Sequence, residues 1–177
     1  MKQLYFDTEM IALAVDEARR VGKLEQSIVN GDGTVAGKLG EIALARHLGA
    51  DLMDSRDFDL KYMKDIRIEV KTKRRTTDPH ENFVVTVDAR NVRQKCDYYA
   101  FISITFKERK RDKYFSPMRI WFLGYIRKHD FFQKATLVNK GTYQPENNFT
   151  VREDHYALPI SQLNTITIGE NNGQDHN

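Results

Sequence analysis

The sequence predicts an α/β domain with a mixed central β-sheet flanked by helices, and three observations predict it. Apolar residues recur at helical spacing over residues 8–23 and 34–48. Further on, residues 66–72 alternate apolar and polar, while 98–106 and 119–126 are apolar at nearly every position, as strands buried on both faces read. Helical and extended segments alternate along the chain, which is the order of layers in an α/β domain.

The elements follow in order. Over 8–23, Ile11, Ala14, Val15, Ala18 and Val21 or Gly22 form one stripe, and Asp7 or Thr8 suits the N-cap. Residues 27–33, with Asn30, Gly31, Asp32 and Gly33, read as a loop. The second helix, 34–48, places Gly37, Glu41, Leu44, Ala45 and Leu48 on one face. A carboxylate among apolar residues is costly unless paired, protonated or bound to a metal, so Glu41 needs a partner. Lys38, Arg46 or another base would serve. Gly37 and Gly40 each cost about 1 kcal/mol relative to Ala inside a helix, and such glycines mark close approach to another backbone. Residues 54–60 lead into a strand with Asp57 and Asp59 off its apolar side. Residues 62–65 turn the chain back as the strand 66–72.

Residues 76–82 read as a polar loop and 83–87 as a third strand, with the first three strands expected as antiparallel neighbours because short turns join them. Asp88 suits the cap of a short helix reaching Gln94. The aromatic residues of 98–106 are assigned to the core. The charge run 107–113 reads as a solvated hairpin loop. Residues 127–134 form a short amphipathic helix, 138–148 a turn-rich excursion and 148–151 an edge strand, while 155–163 covers the core. Residues 1–168 are read as a single domain, with 169–177 as a disordered polar tail.

Length and composition agree. The chain has 177 residues, 40% hydrophobic and 30% charged, within the range of one globular domain. A net charge of +3 permits a polyanionic partner without requiring one. Cys96 is the single cysteine, which excludes an internal disulfide and a cysteine-based zinc cluster. The first ten residues carry acids where a signal peptide would be apolar, and no apolar run is long enough to span a bilayer. No membrane partner is expected, and an intracellular, cytoplasmic location is.

The chemistry centres on residues 66–75, IRIEVKTKRR. Glu69 and Lys71 project to the same side of the strand. The hairpin brings Asp59 beside them, with Asp57 as the backup acid if the register slips by one. Together with Glu41, three carboxylates would then converge. Such a cluster repels itself unless a divalent cation lies between, and hard oxygen donors suit Mg2+, with Mn2+ able to substitute. Lys71 would orient the attacking water and offset developing negative charge. Lys73, Arg74 and Arg75 would hold a nucleic-acid backbone. Other site types are missing: there is no GxxxxGK[ST] loop, and the histidines are scattered.

Asp59, followed ten positions later by Glu69-Val70-Lys71, resembles the D…(D/E)xK signature of the PD-(D/E)xK nuclease superfamily, the restriction-endonuclease-like fold. The segment GKLGE ending at Glu41 is similar to the extra helical glutamate of many members, among them Holliday-junction resolvases and phage nucleases. Phe58 stands where a proline often precedes the aspartate. The resemblance covers residues 34–72 by motif and extends to 126 by element order. It implies a restriction-endonuclease-like core and metal binding by Glu41, Asp59, Glu69 and the Val70 carbonyl. It also implies Lys71 as the lysine that positions the nucleophilic water, and Gln94 as a supporting polar residue. The expected activity is Mg2+-dependent endonucleolytic hydrolysis of DNA, with a homodimer cutting both strands. The alternatives are an exonuclease, or a nucleic-acid-binding or assembly protein whose acids serve only in salt bridges.

Overall fold

A computed structural model describes residues 1–22, 32–107, 116–145 and 148–165. The expected tail 169–177, most of the loop 27–33 and nearly all of the charge run 107–113 lie outside the described residues. Within them the architecture is mixed α/β, with three α-helices around a mixed six-stranded sheet and a smaller three-stranded one.

Strand β1 (Lys2–Leu4) leads into helix α1 (Thr8–Gly22). Asp7 is the cap: its Oδ1 accepts from the Met10 N–H at 2.8 Å. The buried stripe of α1 centres on Met10, Ala14 and Ala18, spaced four apart. Helix α2 (Asp32–Leu48) starts two residues before the apolar pattern, so Asp32 and Gly33 are helical rather than loop. Gly49, at φ +66°, ends it in the left-handed region. Residues Leu39 to Ala45 of α2 are buried without a break, because α1 packs on one side and the sheet on the other.

Strands β2 (Asp51–Leu52), β3 (Leu60–Tyr62) and β4 (Ile66–Arg75) follow, and β3 and β4 form the expected antiparallel hairpin, with Leu60 opposite Ile68. Strand β5 (Val84–Asp88) then breaks the expectation of three antiparallel neighbours. It does not join β4. It pairs with β11 (His155–Pro159), which also pairs with β8 (Thr136–Val138), making the three-stranded sheet. The place beside β4 goes to β6 (Tyr98–Phe106), which runs parallel to it from Ile68 opposite Tyr98 to Arg75 opposite Thr105. The loop 76–82 is what carries the chain away. Its Asp78 carboxylate accepts from Thr105 Oγ1 and Trp121 Nε1, both at 3.2 Å, and pairs with Arg119 at 3.0 Å, tying the loop across the sheet.

Strand β7 (Pro117–Arg127) pairs antiparallel with β6 and with β1, giving the order β1-β7-β6-β4-β3-β2. Helix α3 (Lys128–Lys134) follows it, and the short hairpin of β9 (Tyr143–Gln144) and β10 (Phe149–Thr150) lies in the turn-rich excursion. The sheet separates two apolar clusters. Leu39, Ile42, Ala43, Ile68, Val70, Ile102 and Ile104 pack on the side of α1 and α2. Val87, Tyr99, Phe101, Leu123, Phe131 and Leu158 fill the side facing the small sheet and α3. Tyr99, Phe101 and Phe106 of β6 are core, as expected, and Tyr98 is half-buried against it. Among the described residues, no helix is long and apolar enough to cross a membrane.

Candidate functional site

The end of β3 builds the site. Strand β3 pairs only with Ile66–Ile68 of the ten-residue β4. Past Ile68, that edge of β4 has no strand partner among the described residues. Asp59 falls just outside the regular register, its N–H donating to the Ile68 carbonyl at 3.0 Å. Its side chain turns into the vacated edge, where Oδ2 accepts from the Val70 N–H at 2.8 Å. A residue in a sheet directs its N–H and C=O to the same edge, so the Val70 carbonyl faces this carboxylate's side of β4.

Glu69 and Lys71 come from the other parity of β4, on the face of Tyr99 and Phe101. Lys71 Nζ donates to Glu69 Oε1 at 2.6 Å, and Gln94 Nε2 donates to the same oxygen at 2.9 Å. Among the described residues, Glu69 Oε2 has no donor. Gln94 closes the 3-10 turn Ala89–Arg93, which Asp88 caps through the Arg90 N–H. Lys128 Nζ in turn donates to the Gln94 carbonyl, and Tyr99 Oη to the Asn91 carbonyl at 3.1 Å, so the turn is held from two sides.

Glu41 reaches the cluster from α2, which lies close because of Gly40. A methyl group at Gly40 would stand 2.1 Å from Thr72 Oγ1 of β4, whereas one at Gly37 would meet nothing within 4 Å. Close approach is therefore found at Gly40, to the Thr72 side chain rather than to a backbone, and not at Gly37. Lys38 is the partner of Glu41, at 2.7 Å one turn earlier, while Arg46 pairs with Asp7 and Glu9 instead.

The electrostatics tie the acids together. Glu41 and Glu69 are each only 8% exposed. Burial, then repulsion from Glu41 and Glu69, pushes the Asp59 carboxyl up to about 8, against the opposing pull of the Val70 N–H and Lys38. Burial also raises Glu41, with the Lys38 bond opposing it. Burial works against the Lys38 ammonium, and Glu41 and its acidic neighbours more than offset it. Asp57 stays out of the cluster, its charge felt at Arg67. Among the described residues, no three His, Cys, Asp or Glu side chains are gathered as a ready metal cage. The donor set nevertheless fits a hard cation by its chemistry: three carboxylates that repel one another, one with an undonated oxygen, beside a carbonyl at an open strand edge.

The three basic residues that follow do not form one patch. Strand β4 runs through Arg75, so they alternate faces. Lys73 is exposed on the face of Lys71. Arg74 lies over the Phe106 ring at 4.3 Å, and Arg75 lies over Phe83 at 4.7 Å and donates to the Val84 carbonyl at 3.2 Å.

Lys128 and Tyr99 are the contributors that sequence reasoning missed. Lys128 was read only as part of the short amphipathic helix 127–134 and Tyr99 as core, and neither carries a spacing signal linking it to the turn it holds. Lys38 was legible as one of several candidate partners, three positions before Glu41 on the same helix. No family model matches this chain, and no curated protein matches it.

Proposed function

We propose that the chain is a divalent-metal-dependent deoxyribonuclease of the PD-(D/E)xK superfamily, with a restriction-endonuclease-like core, acting as an endonuclease on DNA phosphodiesters. One observation carries the reading. Asp59 accepts from the Val70 N–H at 2.8 Å on the edge of β4, directly after the buried Glu69 to which Lys71 donates at 2.6 Å, and the buried Glu41 raises the Asp59 carboxyl by its charge. Buried acids gathered at an open strand edge stabilise nothing by themselves.

Glu41, Asp59, Glu69 and the Val70 carbonyl would hold Mg2+ or Mn2+. The bound cation supplies a Lewis acid and lowers the pKa of its water. Lys71, an ammonium bonded to Glu69, orients a water or phosphate oxygen and offsets negative charge as it develops. Gln94 keeps Glu69 Oε1 occupied, so that Oε2 is the oxygen turned to a ligand. Lys73, Arg74 and Arg75 supply cations beyond the cluster for the DNA backbone.

The test is incubation of purified protein with duplex, single-stranded, nicked and branched DNA in Mg2+, Mn2+ or EDTA. Cleavage is expected in either metal and not in EDTA. Glu69→Ala and Lys71→Ala are expected to lower it at least ~100-fold, the scale of losing one preorganised electrostatic contact, while DNA binding persists. Metal-independent or absent cleavage of every form would overturn the reading.

A second reading has its own support. Lys38–Glu41 and Lys71–Glu69 are complete ion pairs, and among the described residues no ready cage is formed. A nucleic-acid-binding or assembly protein would need no more than that. It predicts DNA binding indifferent to Mg2+ and EDTA. Linear against circular DNA separates an exonuclease from an endonuclease.

A further inference from the structure

Beyond Lys71, the same face of β4 borders a cavity of about 210 Å3 between the two sheets, lined by Lys71, Lys73 and Arg75 with Thr86 of β5 over a floor that includes Phe101 and Leu123. We propose that this cavity binds a terminal phosphomonoester of a DNA strand. The proposal rests on the nuclease reading for its polymer and deepens it by naming the end group.

Charge is the first argument. The three cations alternate along one strand, so their heads share one face. Among the described residues, no Asp or Glu lines the cavity. Lys71 is already matched by Glu69, and Asp88, the nearest acid of β5, is matched by Arg90. Lys73 and Arg75 remain, two positive charges facing the −1.5 to −2 of a phosphomonoester near neutral pH, where an internal phosphodiester carries one.

An unmet donor is the second argument. Among the described residues, the Arg75 guanidinium meets no carboxylate: one nitrogen donates to the Val84 carbonyl at 3.2 Å, and Nε has no acceptor. A guanidinium without an anionic partner is the group whose planar fork a phosphate fits best.

Size is the third. At about 30 Å3 for each water, the space equals roughly seven waters. That admits a phosphate with part of its sugar and is below the ~300 Å3 at which pockets for larger ligands begin. The size suits one terminal phosphate group rather than a larger ligand. Held there, a phosphorylated terminus, at a nick as well as at a free end, lies next to Lys71.

The experiment is titration calorimetry in EDTA with three thymidine dinucleotides, carrying a 5′-phosphate, a 3′-phosphate or neither. One phosphorylated form is expected to bind at least ~10-fold tighter than the unphosphorylated one, in keeping with charge-assisted hydrogen bonds. Which one it is identifies the end. Lys73→Ala and Arg75→Ala are each expected to lose most of that preference, and Lys140→Ala, outside the cavity, to keep it. Because Arg75→Ala also removes its stacking on Phe83, Arg75→Lys serves as a second variant, keeping the charge and losing the fork; it is expected to retain part of the preference. Equal binding of the three dinucleotides by the wild type, or an unchanged preference in both alanine variants, overturns the pocket. A wild type that cuts DNA with Mg2+ and shows no preference loses the pocket alone. One that prefers a phosphorylated end and cuts nothing loses the nuclease reading and keeps the pocket.

Discussion

Gly37 and Gly40 stand one turn apart on α2, and the same added methyl has opposite consequences at the two positions. At Gly40 it would lie 2.1 Å from Thr72 Oγ1 and 3.2 Å from Thr72 Cβ, which cannot rotate away. Gly40→Ala is expected to cost about 1–3 kcal/mol, as overpacking does. Thr72 Oγ1 is buried without a partner, so Thr72→Ala in the same chain should recover part of that loss. Gly37→Ala, with nothing within 4 Å, should stabilise by about 0.5–1 kcal/mol through helix propensity. Urea unfolding of the four proteins checks all of this. Asp59 sets a dependence on pH. Its carboxyl is pushed up to about 8 in the metal-free fold, from an ordinary value of 3.8. The folded state therefore holds a proton that the unfolded chain releases, and this contribution is whole below about 3.8. It declines as pH rises and is gone above about 8. Glu41, also raised, acts in the same direction. In EDTA, melting temperature should fall between pH 5 and 8, and Asp59→Asn should flatten that fall. A wild-type profile that rises over this range would refute the burial argument.

At the scale of the element, β4 is read on both of its edges. Its pairing with β6 takes the N–H groups of one parity, while past Ile68 the other parity has Asp59 at Val70 and then no backbone partner among the described residues. Amide hydrogen exchange should therefore alternate along the strand, with Lys71 and Lys73 protected and Thr72 and Arg74 fast. Asp59→Ala should move Val70 from the slow set to the fast one. A uniform strand would contradict the pairing. The alternation of residues 66–72 made this strand legible, and with it the common side of Glu69 and Lys71. The GxxGE spacing made Glu41 legible, because helix geometry and the cost of a buried acid are local facts. The partner of β4 was not legible. Turn length speaks for antiparallel neighbours, whereas the departure of β5 depends on Asp78 meeting Thr105, Trp121 and Arg119, residues 27 to 43 positions away. Asp59 was found by parity yet acts differently from a face residue, since it reaches along the sheet edge to a backbone N–H, which periodicity does not encode.

The whole molecule places the acid cluster at the meeting of α2, the end of β3 and the middle of β4, with the small sheet closing over the face of β4 turned away from α2. A site of this size addresses one strand of a duplex, so double-strand cutting calls for two copies. Light scattering during gel filtration should give twice the 20.7 kDa of the chain, alone or on a short duplex. A single-copy mass in both conditions would leave strand-by-strand cutting as the mode. The edge of β4 past Ile68, which has no strand partner among the described residues, constrains how two copies can meet. An unpaired strand edge invites another chain to add to the sheet, which is the usual route to edge-to-edge aggregation. Beside this one stand Lys71, Lys73 and Arg75, so two molecules approaching through it would face their own cations. That repulsion acts as a gatekeeper: it keeps the open edge from recruiting copies of itself, and a cation held among Glu41, Asp59 and Glu69 would be what lets a polyanion approach it.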